Sequence, residues 1–185
     1  MHRIPFFLRA IGLYVATAAS SAIAMPPVKP VDQVDLPRFM GSWYVIATIP
    51  SVFEKNAVNA VETYKLSPDG TIATDYRYRK RSLDAPVKHI GSTGFVREGT
   101  NNAVWGVRIV WPVKAQYVIA YLSPDYQQTI IARDARDYVW IMARTPTISQ
   151  PDYDALVARV RDLGYKVADI QKVQQVWPEP EGGGL

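Results

Sequence analysis

From Trp43 to Arg144 the sequence alternates short β-forming runs with turn residues, the pattern of an antiparallel meander. Strands are expected over about 43–49, 58–66, 71–79, 87–97, 105–111, 116–122, 126–133 and 138–144. Pro50 and Pro112 end the first and fifth runs, and Pro68-Asp69-Gly70, Gly99-Thr100-Asn101-Asn102 and Ser123-Pro124-Asp125 turn the chain between others. Side chains alternate across a strand. In the third run Ile72, Thr74, Tyr76 and Tyr78 therefore share one face, with Asp75, Arg77 and Arg79 on the other. In the fifth, Trp105, Val107, Ile109 and Trp111 oppose Gly106, Arg108 and Val110. The segment 51–56 is long for a hairpin and reads as a loop able to fold over something. After Arg144 the period changes once. Ser149 is a good N-cap with Asp152 three residues on, and Pro151 sits in the first turn. Tyr153, Leu156, Val157, Val160 and Leu163 then fall on one helical face, until Gly164 stops the helix. A short strand is expected over 170–176, and the Pro- and Gly-rich end, 178–185, is expected to fray.

A chain of 185 residues, 48% hydrophobic and 21% charged, has the composition of one globular domain. Residues 1–24 read as a cleavable signal peptide: Arg3 and Arg9 supply charge, 11–19 is mostly apolar, and Ala22-Ile23-Ala24 is a small-x-small site. A retained anchor is the alternative, although the apolar part is short for a membrane span. Removal of this segment takes the formal charge from +4 to 19 basic against 17 acidic residues, too weak a bias to argue for nucleic acid. There is no Cys, so no disulfide and no acylated N-terminal Cys. The expected organisation is a short extension over 25–33, a domain over 34–177 and the tail. The protein is expected to be exported, periplasmic or secreted, with outer-membrane association left open.

Several motifs resemble those of lipocalins. They are Gly41-Ser42-Trp43-Tyr44, then Val61-Glu62-Thr63-Tyr64-Lys65-Leu66 leading into Pro68-Asp69-Gly70, and Val118-Ile119-Ala120 leading to Asp125-Tyr126. The most specific is Asp137-Tyr138-Val139-Trp140-Ile141-Met142-Ala143-Arg144-Thr145-Pro146-Thr147-Ile148-Ser149. The resemblance is to the bacterial outer-membrane lipocalin group, which is similar to apolipoprotein D and the plant temperature-induced lipocalins. It implies an all-β fold: an eight-stranded antiparallel up-and-down barrel, one C-terminal helix packed outside, and a short ninth strand. It implies that Trp43 plugs the closed end with Arg144 over its ring. It also implies carriage of a lipid, such as a fatty acid or lysophospholipid, and a part in envelope upkeep under stress. Bacterial members are commonly lipoproteins, and the missing Cys departs from that pattern.

With bulky phases turned inward, the expected ligand-facing residues are Ile72, Tyr76, Tyr78, Trp105, Val107, Ile109, Tyr117, Ile119, Tyr121 and Trp140. Trp140 shares a phase with Arg144. A bulge in any strand would reverse its phase. In a meander the odd connections share one end, so the mouth is expected to carry Phe53, Arg79, Lys80, Arg81 and Lys114. Those cations could meet an anionic headgroup, or simply form a solvated loop. An enzyme is hard to build, because beyond the signal only His89 remains and a zinc site of the usual kind needs more. No cofactor or metal is expected, and the chain is expected to act as monomer or homodimer. Two alternatives stay open: a structural or interaction protein of the envelope, and a hydrolase-like enzyme using carboxylates such as Glu62 and Asp75.

Overall fold

The computed structural model describes residues 25–51, 54–110 and 112–179. The expected signal peptide, Phe53 and the last residues of the tail lie outside the described residues. Nine strands follow the meander: β1 (Gly41–Ile49), β2 (Ala57–Leu66), β3 (Ile72–Lys80), β4 (Val87–Val96), β5 (Val104–Arg108), β6 (Ala115–Leu122), β7 (Gln128–Ala132), β8 (Val139–Ala143) and β9 (Gln171–Lys172). Consecutive strands from β2 to β8 pair antiparallel, β8 pairs with β1, and β1 returns to β2. The first eight strands thus close a barrel, which leaves them no free sheet edge. Helix α1 (Leu36–Phe39) is an unexpected turn before β1, capped by the Asp35 side chain on the Arg38 amide and started by Pro37.

The expected strand bounds hold to within a residue or two at most ends, with exceptions in β5 and the last strand. β5 stops at Arg108 rather than reaching 111. β7 begins at Gln128, because Tyr126 takes a left-handed φ of 62° in the preceding turn. Of the expected last strand only Gln171–Lys172 pairs as sheet.

Helix α2 (Gln150–Asp162) starts and stops where its sequence signals lie. The Ser149 hydroxyl accepts from the Asp152 amide, and Gly164 takes a φ of +90° just past the end. Leu156 and Val160 are buried in one apolar cluster with Ile130, Ile141 and Ala143 from β7 and β8. A second cluster fills the barrel itself, with Trp43, Tyr64, Ile72, Trp105, Ile119 and Met142 among its members. The sheet therefore buries both of its faces on the α2 side.

The seam between β1 and β2 is unusual. Their pairing covers only Gly41 to Tyr44 against Val61 to Tyr64. Beyond it the strands separate, and the C-terminal segment enters the gap. Lys172 pairs with Ala47, the Val173 amide donates to the Ile46 carbonyl, and the Asn59 amide donates to the Gln174 carbonyl. The Gln175 side chain donates to the carbonyls of Val45 and Ala60, one on each strand. Asn59 is fully buried at a left-handed φ of 48°, and its amide holds Val176 through both oxygen and nitrogen.

The segment ends on Glu179, whose carboxylate takes both Arg77 Nη atoms at 2.8 and 2.7 Å and Arg79 Nη2 at 2.8 Å. The expected fraying over 178–185 therefore does not extend to Glu179, while 180–185 lie outside the described residues. Hydrogen bonds from Arg77 and then Arg79 hold the Glu179 carboxyl down to about 2. Its stabilisation is present above the ordinary carboxylate range and is lost as pH falls toward 2. Glu179→Gln is expected to lower stability at neutral pH by about 1–3 kcal/mol, read as a lower urea midpoint at unchanged m. An unchanged midpoint would show that the strap is held without this clasp.

Candidate ligand-binding cavity

One end of the barrel is sealed. Trp43 and Phe39 are fully buried there with ring centroids 5.1 Å apart, and Trp105 lies edge-on to Phe39 at 5.5 Å. The Trp43 indole N–H donates to the Phe39 carbonyl at 2.9 Å. The Arg144 guanidinium lies over the Trp43 ring with Cζ 3.8 Å from the centroid. Its donors reach the carbonyls of Arg38, Phe39 and Ser42 at 2.8–3.0 Å. Cation and plate are thus fixed together, the ring face covered and the guanidinium's hydrogen bonds satisfied.

Above this floor is a cavity of about 200 Å³. Its wall is mostly apolar and aromatic, with Val45, Tyr76, Ile90, Val107, Tyr117, Tyr138, Trp140 and Met142. Ser51, Ile109, Ala115 and Tyr138 lie toward the end reached by the odd connections, where the mouth is. The Tyr64 and Tyr117 hydroxyls bond each other at 2.6 Å. Tyr117 also stacks on Trp105 at 4.8 Å with nearly parallel planes.

Two carboxyl groups face into this space. Glu54 reaches in from the loop between β1 and β2, where its Oε1 accepts from the Trp140 indole N–H at 2.6 Å and its Oε2 from the Ser51 amide at 3.1 Å. Burial raises its pKa against the pull of those hydrogen bonds. Glu62, on β2, is pushed up to about 8, first by burial and then by the charges of Glu54 and Asp75, with a hydrogen bond from Thr74 opposing. Thr74 in turn shares a hydrogen bond with Ser92 on β4. Among the described residues no Lys, Arg or His lines the cavity.

Of the expected ligand-facing residues, Tyr76, Val107, Ile109, Tyr117 and Trp140 stand on the cavity wall. Ile72, Tyr78, Trp105 and Ile119 belong to the cluster inside the barrel without lining the cavity. Tyr121 is a correction. The β6–β7 register slips between Ile119 and Tyr121, so the bulge turns Tyr121 outward, where Arg159 of α2 covers its ring at 4.2 Å.

The basic rim is corrected at two of its members, Arg79 and Lys114. Arg79 is only 3% exposed and is tied to Glu179. Lys114 lies on the outer face with its Nζ 3.8 Å from the Phe95 ring, beside Arg108. Lys80 and Arg81 are exposed, and Arg81 turns the chain at a left-handed φ of 72°. Glu54, Glu62, Tyr64 and Tyr138 were not among the expected site residues. Glu62 and Tyr64 had a signal, for a polar and an aromatic residue two apart on one strand share a face.

A closed meander with one plugged end and one open, apolar-lined end is a barrel built to hold a small ligand. The chain belongs to the lipocalin family, and residues 34–175 match its lipocalin-like domain. It is 31% identical to temperature-induced lipocalin-1 of Arabidopsis thaliana over 159 residues, covering 82% of this chain and 84% of that one. It is 27% identical to outer membrane lipoprotein Blc of Escherichia coli K12 over 175 residues, covering 95% and 98%. In fold it is similar to insecticyanin from the tobacco hornworm Manduca sexta, with a TM-score of 0.64 at 14% identity over 86% of this chain and 90% of that one.

Proposed function

We propose that this protein binds and carries a single-chain lipid, of fatty acid or lysophospholipid type, and catalyses no reaction on it. The observation that carries the reading is the open apolar cavity standing on a sealed floor. An acyl chain entering it leaves water at about 0.8 kcal/mol per buried CH₂, so apolar burial dominates affinity. Family membership supports the same reading. Export to the periplasm or beyond, a place near the outer membrane and a role in envelope maintenance under stress are parts of this proposal. They draw on the signal-like pattern of residues 1–24 and on the likeness to a lipoprotein of the outer membrane. With no Cys to acylate, the Cys-linked lipid of a bacterial lipoprotein is not part of this proposal.

The test uses purified protein and its own indoles. Trp140 lies on the cavity wall, so added fatty acid or lysophospholipid is expected to change Trp fluorescence saturably. Trp140→Phe is expected to remove most of that signal while saturable binding of a radiolabelled lipid persists. Protein that takes up neither lipid by either readout is not a carrier of this kind.

A further inference from the structure

The two acidic groups inside the cavity have no basic counterpart on its wall, and they are surrounded by aromatic rings. From this arrangement we infer that the cavity selects amphiphiles bearing an ammonium group, and seats that cation among Glu54, Glu62 and the rings of Tyr76, Tyr138 and Trp140. The inference rests on the carrier reading and narrows its ligand class. An aromatic face attracts an ammonium through its quadrupole, most strongly where water is excluded. A carboxylate nearby supplies the opposite charge. A ligand anion at the same depth would meet two carboxyl groups and no cation on the described cavity wall, since Arg81 and Lys172 line a neighbouring pocket that Glu54 also borders.

The polar groups are placed for this role. Glu54 is held by Trp140 and Ser51, so its carboxylate keeps a fixed position over the cavity. Glu62 is steadied by Thr74. The titratable groups that face Glu62 are Glu54 from the loop after β1, Tyr64 on its own strand, Asp75 and Tyr76 from β3, and Tyr117 from β6. None of these is a cation. Asp75 has its own partner in His89 at 2.9 Å on the exposed outer face. A ligand ammonium would fill that missing charge. Its binding favours ionised Glu62, which in the empty cavity is largely protonated below about pH 8. Uptake of a permanent cation is therefore coupled to release of a proton.

The experiment compares decyltrimethylammonium, decanol and decanoate, which share a chain and differ in head charge. At about pH 7.5 the cation is expected to bind at least about tenfold more tightly than the alcohol, and decanoate more weakly than either. The cation's affinity is expected to rise with pH by up to about tenfold per unit below pH 8 and to level off above, while decanol's stays flat. Glu62→Gln is expected to flatten the cation's profile and to lower its affinity relative to decanol by about tenfold. Decanoate binding as tightly as the cation, or a wild-type cation profile as flat as decanol's, overturns the inference and leaves the carrier reading standing. Failure of all the chains to bind removes the carrier reading, and this inference with it. The wild-type profile decides the matter even if the variant does not fold.

Discussion

Trp43→Ala is expected to lower the melting temperature by about 6–20 °C, through a loss of about 3–5 kcal/mol. The ring is fully buried between Phe39 and the Arg144 guanidinium, and its removal leaves a void at the narrow end of the barrel. The cavity and lost contacts dominate that cost. The Phe39 carbonyl, which loses the indole N–H, still accepts from Arg144 at 3.0 Å and is not orphaned. Arg144 keeps its backbone partners but loses the plate beneath it. Against a total stability of roughly 5–15 kcal/mol the change is large enough to threaten expression. A near-unchanged melting temperature would show that Trp43 does not seal the floor.

The second large effect is a fall in stability as pH rises from about 5 to 8, caused by Glu62. Its carboxyl titrates near 8 in the folded chain, well above its ordinary range. Between those two values the folded state holds a proton that the unfolded state has released, so stability drops with each step up in pH. By neutral pH the loss from this one group is about 3 kcal/mol. Glu62→Gln, neutral at every pH, is expected to melt higher than wild type at pH 7–8 and to match it near pH 4. Parallel melting profiles for the two proteins would show that Glu62 titrates as it does in the unfolded chain. Glu179 acts in a separate window, losing its stabilisation only as pH falls toward 2. For these two groups together the most favourable pH lies at the ordinary glutamate value, where the Glu179 gain ends and the Glu62 loss begins.

The order of strands and the helix were legible because each depends on near neighbours. Proline, glycine and asparagine mark the turns, and Ser149 and Gly164 bracket α2. The Trp43–Arg144 pair was also legible, since the motifs carrying it lie at both ends of the meander. What could not be read depends on irregularity or on distance. The slip between Ile119 and Tyr121 reverses one side chain, and nothing in the alternation of β6 announces it. Glu54 enters the cavity from a loop, where no period says which side chain turns inward. Arg79 looked like a rim charge because its partner, Glu179, is a hundred residues away in a tail of low apparent order.

The split between β1 and β2 sets a timetable. A chain made from its N-terminus has all eight strands of the meander once Ala143 is present, yet its wall cannot be completed. The missing stitches come from Lys172 to Glu179, so closure waits until that segment has been made. Until then β1 and β2 present unsatisfied backbone on either side of a slot beside the interior. A chain cut before Lys172 would therefore expose sticky lips along that slot, which the segment from Lys172 to Glu179 bridges in the folded protein. The C-terminal segment is thus a latch across the wall, tying β1 to β2 along the stretch where the two strands do not pair with each other.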